Sequence, residues 1–280
     1  MHGLAPPPDP PELPEGVVLR PRWPAWYAGA GFAVGLVGTL IAVGVLSVIF
    51  DVGQDDASPA FLVVATLVQN TVFLATAVFF AAKTLKPRAW HFGLNRAPFW
   101  PAVGWAALGL FSFYLVAAVY GALVQPDVDQ GVTEDLGAKD STLGLIAAGF
   151  MVIAVAPVAE EIFFRGFFYR ALRSRFTIAG SAVIDGLLFG IIHWDFTGAE
   201  ALLIVPPLAL LGTVFCLVYE KTGSLFPVIA LHAFNNALAY GVQVDSSDAA
   251  VVSAVLGVTV IGACMVVPRL IRPAPGTASP

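Results

Sequence analysis

The chain has 280 residues, only 12% of them charged, and a mean hydropathy of +0.83. Soluble domains carry about 25% charged residues, so this composition excludes a water-soluble protein and leaves a polytopic membrane protein built as an all-α transmembrane helix bundle. The net charge of −5 comes without any basic cluster that would suit a nucleic acid, and Cys216 and Cys264 lie in apolar runs where they pack as small hydrophobes.

In chain order, residues 1–24 are rich in proline and lack the basic start, short apolar run and cleavage site of a secretory signal; a disordered cytoplasmic tail is expected there. About eight apolar stretches of roughly 20 residues follow, each long enough to cross the hydrocarbon core as a helix. Their expected bounds are 26–50, 58–82, 99–124, 143–172, 177–195, 199–219, 223–243 and 249–268. This divides the chain into N-terminal transmembrane helices (25–142), a core (143–243), a last transmembrane helix (244–272) and a tail (273–280).

The connecting charges alternate in sign. Alternate loops hold Arg20 and Arg22; Lys83, Lys86, Arg88 and Arg96; Arg170, Arg173 and Arg175; Lys221; and Arg269 and Arg272. The loops between them hold Asp51, Asp55 and Asp56; Asp127, Asp129, Glu134, Asp135 and Asp140; Asp195 and Glu200; and Asp245 and Asp248, with Lys139 as their one basic residue. The positive-inside rule then puts both termini in the cytoplasm. No internal repeat of the kind that marks many transporters is visible.

Within the apolar stretches a few polar residues stand out: Glu160, Glu161 and Arg165 in the fourth, Asp185 and His193 in the fifth, His232 and Asn236 in the seventh. Folding the fourth and fifth helices about a turn near Arg175 puts Glu160 and His193 at one level, each about 24 Å from the turn at the α-helical rise. His232 and Asn236, about 15 to 21 Å into the seventh helix, fall in the same layer. Both members of that pair project from one helix face, as do Phe189 and His193. Glu161 and Arg165, also four apart, are spaced for an ion pair, which leaves Glu160, about 100° round the helix, free to face a wet cavity. Asp185 competes for Arg165 or pairs with Arg170.

A carboxylate, two imidazoles and a carboxamide at one depth suit hydrolysis of a peptide bond. Glu160 serves as general base and acid, His193 positions the water with it, and His232 and Asn236 stabilise the oxyanion. No serine or cysteine sits beside a histidine as a nucleophile, and no cofactor is required. A zinc alternative would use His193, His232 and Glu160 as ligands, but the chain has no HExxH helix. Gly186 and Gly190 permit close approach of a neighbouring helix, Pro206 and Pro207 kink the sixth, and Gln69 and Asn70 pack between helices.

Glu160-Glu161-Ile162-Phe163-Phe164-Arg165 fits EExxxR, Phe189 to His193 fits FxxxH, and His232 to Asn236 fits HxxxN. In these three motifs, over residues 143–243, the chain resembles the CAAX protease and bacteriocin-processing (CPBP) family of intramembrane proteases, which includes the type II CAAX prenyl endopeptidases. The resemblance implies an intramembrane endopeptidase with Glu160 as base, His193 as its partner at the water, His232 and Asn236 as the oxyanion site, and Glu161, Arg165 and Phe189 in support. It implies a substrate that is a membrane-associated protein or peptide, prenylated CaaX proteins being one class, and a place in the cell membrane of a prokaryote. The family has been described as both metal-dependent and glutamate-dependent, so zinc stays open. Two other classes compete: a non-enzymatic membrane scaffold or bacteriocin-immunity or resistance protein, and a proton-coupled transporter with Glu160, Asp185 and the histidines as its relay.

Overall fold

The computed structural model describes residues 23–53, 57–125, 132–194 and 200–271. The two terminal tails fall almost wholly outside these residues, as do Arg20, Arg22, Asp55, Asp56, Asp127, Asp129, Asp195 and Arg272. Regular structure among the described residues is helical throughout: α1 Trp26–Phe50, α2 Pro59–Ala82, α3 Phe99–Val124, α4 Thr142–Leu172, α5 Ile178–Ile191, α6 Val205–Thr222, α7 Leu225–Val244 and α8 Ser247–Leu270, with short turns at Ala89–Phe92, Val132–Asp135 and Glu200–Ile204. Seven helices are long and apolar enough to cross a membrane, counting α6 with the turn before it, and the protein is a multi-pass membrane protein. The exception is α5, whose 14 residues give about 21 Å against a hydrocarbon core of about 30 Å. The span expected to run to residue 195 thus ends as a helix at Ile191.

Side chains at the helix starts supply the acceptors that the first turns lack. Ser58, Ser141, Thr177, Ser224 and Ser246 each accept a bond from a backbone N–H of the turn they precede. At the other ends Asp51, Gln125, Gly223 and Asp245 adopt the left-handed conformation that closes a helix. Pro206 and Pro207 stand in the first turn of α6, where no N–H is missed, so they start the helix instead of kinking it.

Helix α4 is not uniform. Its π-helical stretches, Met151–Val155 and Ile162–Tyr169, bracket an α-helical turn over Ala156–Glu161. The Ala156 N–H bonds Met151 O, five residues back, which takes from Val152 O its α-helical donor. The donor one residue further on would be Pro157, which has no N–H. The carbonyl of Val152 is thereby left for a partner from another helix.

The closest helix pair is α5 with α6. A Cβ on Gly186 would lie 2.7 Å from Thr213 N, and one on Gly190 would lie 2.6 Å from Val205 O. The two glycines let the backbones meet, and their neighbour is α6. Around this pair, α4 presents Phe163, Phe164, Phe167 and Phe168 to Phe80 and Phe189 in one aromatic core, while α3, α6 and α7 share a second and α4, α7 and α8 a third. The basic end of the bundle is pinned by the α2–α3 connection. Arg170 donates to His91 O, Ser224 Oγ to Asn95 O (2.6 Å) and Leu225 N to Gly93 O (2.8 Å). Arg96 reaches the carbonyls of Pro268 and Arg269.

Gly186→Val should lower the thermal midpoint of the detergent-solubilised protein by several degrees, since overpacking a tight contact costs about 1 to 3 kcal/mol. Gly104→Ala, where a Cβ meets nothing within 4 Å, should leave it unchanged. Melting by size-exclusion thermostability checks both.

Candidate active site

The site is assembled on the α-helical turn of α4 between its two π-helical stretches. Glu160 and Glu161 are adjacent there but live in different surroundings: the Glu161 side chain is 0% exposed and the Glu160 side chain 21%. The roughly 100° between consecutive helical residues accounts for this, because one carboxylate points into the bundle when the other points along its rim.

Glu161 Oε1 takes two partners, Arg165 Nη1 at 3.1 Å and His232 Nδ1 at 2.8 Å. Arg165 is itself fully buried. Its other arms reach Gly212 O on α6 at 3.0 Å and, through Nε, Asp185 Oδ1 on α5 at 3.5 Å. The rings of Phe164, Phe189 and Phe215 surround the guanidinium at 5.7, 4.7 and 5.1 Å. A charge in a low-dielectric interior is tolerable only when paired and hydrogen-bonded, and this one is held by three helices and three rings. Asp185 therefore pairs with Arg165, while Arg170 goes to His91 O.

The tautomer of His232 follows from its neighbour. A carboxylate already paired with a guanidinium accepts, so Nδ1 carries the proton and Nε2 is turned toward the other side. There Nε2 lies 3.9 Å from Glu160 Oε2. That separation is too long for a direct hydrogen bond, but an oxygen about 2.8 Å from both atoms would subtend an angle of about 90°, within the reach of one water. Oε2 of Glu160 has no hydrogen-bond partner within the protein.

His193 lies in the turn after α5, two residues past Ile191. Its Nδ1 is 2.7 Å from Phe189 O. A carbonyl only accepts, so Nδ1 donates and Nε2 is left to act. No hydrogen bond or ion pair joins His193 to Glu160. His193 is linked instead to His232 through Phe189, whose ring meets the two imidazoles at 4.7 and 5.8 Å. The equal-depth estimate assumes a helix that continues to residue 195, whereas the chain leaves α5 before His193.

Asn236, one turn beyond His232, is engaged elsewhere. Its Nδ2 donates to Val152 O at 2.9 Å, the carbonyl freed by Pro157 and the π-helical turn. Its Oδ1 accepts from Asn235 Nδ2 at 3.3 Å, and Asn235 Oδ1 accepts from Tyr114 OH at 3.0 Å. Thus Glu160, Glu161, Arg165, Phe189 and His232 form one cluster, His193 flanks it across Phe189, and Asn236 docks toward the acidic end of α4. Among the described residues no three His, Cys, Asp or Glu side chains gather where they could hold a metal ion, so Glu160, His193 and His232 do not form a ligand set in this arrangement.

Three parts of the cluster escape sequence reasoning. The Gly212 carbonyl and the Phe215 ring carry no side-chain signature of a role. Pro157, one turn before Glu160, does carry one, since an imino acid inside an apolar span must free a carbonyl. Asp185, a carboxylate inside an apolar helix, is visible in the sequence, and of the two partners open to it there, Arg165 and Arg170, it pairs with Arg165.

Residues 142–238 fit the family model described as Type II CAAX prenyl endopeptidase Rce1-like. No curated protein and no solved structure matches the chain. The matched segment runs from the start of α4 into α7 and contains Glu160, Glu161, Arg165, Phe189, His193, His232 and Asn236. This segment, which holds the whole cluster built around Arg165, is where the chain is similar to the type II CAAX prenyl endopeptidase Rce1-like family.

Proposed function

We propose that the protein hydrolyses a peptide bond of a membrane-associated substrate with a water activated by Glu160. The observation that carries this reading is the facing of Glu160 Oε2 and His232 Nε2 across 3.9 Å, with Glu161 gripping the opposite nitrogen of the same imidazole. Glu161 is spent on orientation through Oε1, while Glu160 turns an unpartnered Oε2 toward Nε2.

On this reading Glu160 takes a proton from the water as its oxygen attacks the scissile carbonyl carbon, giving a tetrahedral oxyanion. His232, its Nδ1–H held by Glu161, presents Nε2 beside Glu160, where it orients the attacking water. His193, with Nδ1–H fixed on Phe189 O, offers Nε2 to the water or to the substrate from the other side of the Phe189 ring. Glu160 then passes its proton to the leaving nitrogen, the C–N bond breaks, and the products are a carboxylate and an amine. Asn236 acts indirectly, by holding the first π-helical turn of α4 and with it the helix that carries Glu160. No metal is needed in this sequence of steps, and zinc on Glu160, His193 and His232 would require those three to draw together.

The basic loop residues, which include Arg170 and Arg173, favour a cytoplasmic location for that end of the bundle and for both termini, in the cell membrane of a prokaryote. The matched family description makes a prenylated CaaX peptide the first substrate to try.

With a farnesylated, internally quenched CaaX peptide and protein in proteoliposomes, Glu160→Gln should lower kcat at least about 100-fold with an unchanged melting curve. His193→Ala should do likewise. Wild-type turnover by the Glu160→Gln variant would remove Glu160 from the mechanism.

Asn236→Ala separates positioning from chemistry. Losing the donor to a buried carbonyl costs about 1 to 3 kcal/mol, so it should lower the melting temperature and slow cleavage by less than Glu160→Gln does. A rate loss as deep as that of Glu160→Gln, with unaltered melting, would instead make the amide an oxyanion donor. Cleavage that survives dialysis against a zinc chelator, measured beside elemental analysis, is expected as well; loss of activity restored by added zinc would move the mechanism to a metal.

A further inference from the structure

We propose that Asp185 is a positioning residue that keeps the Glu161 carboxylate available to His232; the functional meaning of this rests on the reading above, but the geometry does not. Arginine and a carboxylate in contact favour a fork-to-fork pair, with two parallel N–H···O bonds that occupy both oxygens. Arg165 and Glu161 depart from that preference. Only Nη1 meets Glu161, at Oε1, while Oε2 has no hydrogen-bond partner within the protein.

The reason lies in the remaining arms of the guanidinium. Nη2 donates to Gly212 O at 3.0 Å, and Nε lies 3.5 Å from Asp185 Oδ1 in an ion pair without a hydrogen bond, the two partners coming from two other helices. The planar fork cannot satisfy those directions and also turn both prongs toward Glu161. Of the two competing anchors, Gly212 O is a backbone carbonyl and Asp185 is the acidic side chain. The site is sealed: Arg165, Glu161 and Asp185 are all 0% exposed, so no bulk water screens the competition or replaces a lost partner. Cys216 lies beside Asp185 and adds no charge that could stand in for it.

Removing the Asp185 carboxyl therefore releases the guanidinium to close its fork on Glu161. Both Glu161 oxygens are then claimed by Arg165, and the 2.8 Å bond to His232 Nδ1 weakens or breaks. His232 loses the contact that fixes its ring relative to Glu160. Asp185 touches neither Glu160 nor His232, and it acts only through this chain of contacts.

The test uses full-length protein carrying 15N-labelled histidine. The chain has four histidines, His2, His91, His193 and His232, so each ring can be assigned by substitution. In the wild type the His232 Nδ1–H signal should be that of a proton bonded to a carboxylate. Asp185→Asn, similar in size but neutral, should shift or abolish that signal and leave the His193 signal in place. Asp185→Glu, which keeps the carboxyl, should retain it. With the farnesylated peptide in proteoliposomes, Asp185→Asn should lower kcat about tenfold with KM within a factor of about two, and adding Asp185→Asn to Glu161→Gln should cost little more than Glu161→Gln alone. An unchanged His232 signal in folded Asp185→Asn protein overturns the proposal, as do fully multiplicative losses in the double variant. If Asp185→Asn does not fold, Asp185→Ala is read by the same signal. The histidine spectrum does not depend on turnover. An active Glu160→Gln variant would sink the Glu160 mechanism while leaving the Asp185 coupling to stand or fall by the spectrum.

Discussion

The core of this protein is organised by the need to keep one guanidinium charged in the interior of a helix bundle. Arg165 cannot shed its proton, and an uncompensated charge in that setting costs several kcal/mol even after relaxation. The solution draws on three helices: Glu161 from its own, Asp185 from α5 and the Gly212 carbonyl from α6, with Phe164, Phe189 and Phe215 closing the remaining faces. Each partner demands something of its helix. Gly212 must lack a Cβ, which would sit 3.2 Å from Arg165 Nη2, and α5 must approach α6 closely enough to bring Asp185 in, which Gly186 and Gly190 allow. The tight α5–α6 pair and the buried ion cluster are one construction.

The backbone of α4 answers a second demand. Pro157 sits one turn before Glu160 and lacks an N–H, so a uniform α-helix there would strand a carbonyl among apolar side chains. Widening the helix over Met151–Val155 moves the Ala156 N–H to Met151 O and leaves Val152 O for the Asn236 amide. That bond ties α7 to α4 two turns away from the place where His232 ties the same two helices through Glu161. Two cross-links at different heights fix both the spacing and the rotation of α7 relative to α4, and rotation decides where His232 Nε2 points.

How much of this was legible in the sequence varies with the range of the physics. Helix positions were readable because an apolar run of spanning length has no alternative in a bilayer. The Glu161–Arg165 pair was readable because a spacing of four puts two side chains on one helix face. The end of α5 was not, since Ile191, Ile192 and Trp194 are as apolar as the helix before them, and the resulting displacement of His193 could not be counted from a uniform rise. The attachment of Asn236 to Val152 was hidden for a related reason. It depends on a change of helical register in another segment, and a spacing argument made within one helix carries no information about which carbonyl of a neighbour has lost its donor.

The doublet Glu160-Glu161 then has a physical explanation that needs both residues. A lone carboxylate facing His232 Nε2 would leave the imidazole free to turn, because nothing would hold Nδ1. A lone carboxylate at the position of Glu161 would hold the ring and leave nothing opposite Nε2. Consecutive positions on one helix lie about 100° apart and 1.5 Å in height, which lets two carboxylates reach opposite edges of a single ring inserted from a neighbouring helix. The difference in burial between them follows from the same rotation: Glu161 faces the sealed Arg165 cluster and Glu160 the half-open rim. The fixed acid and the free acid are thus two consequences of one helical turn, and that turn is held in place by Arg165 below it and the Pro157 register change above it.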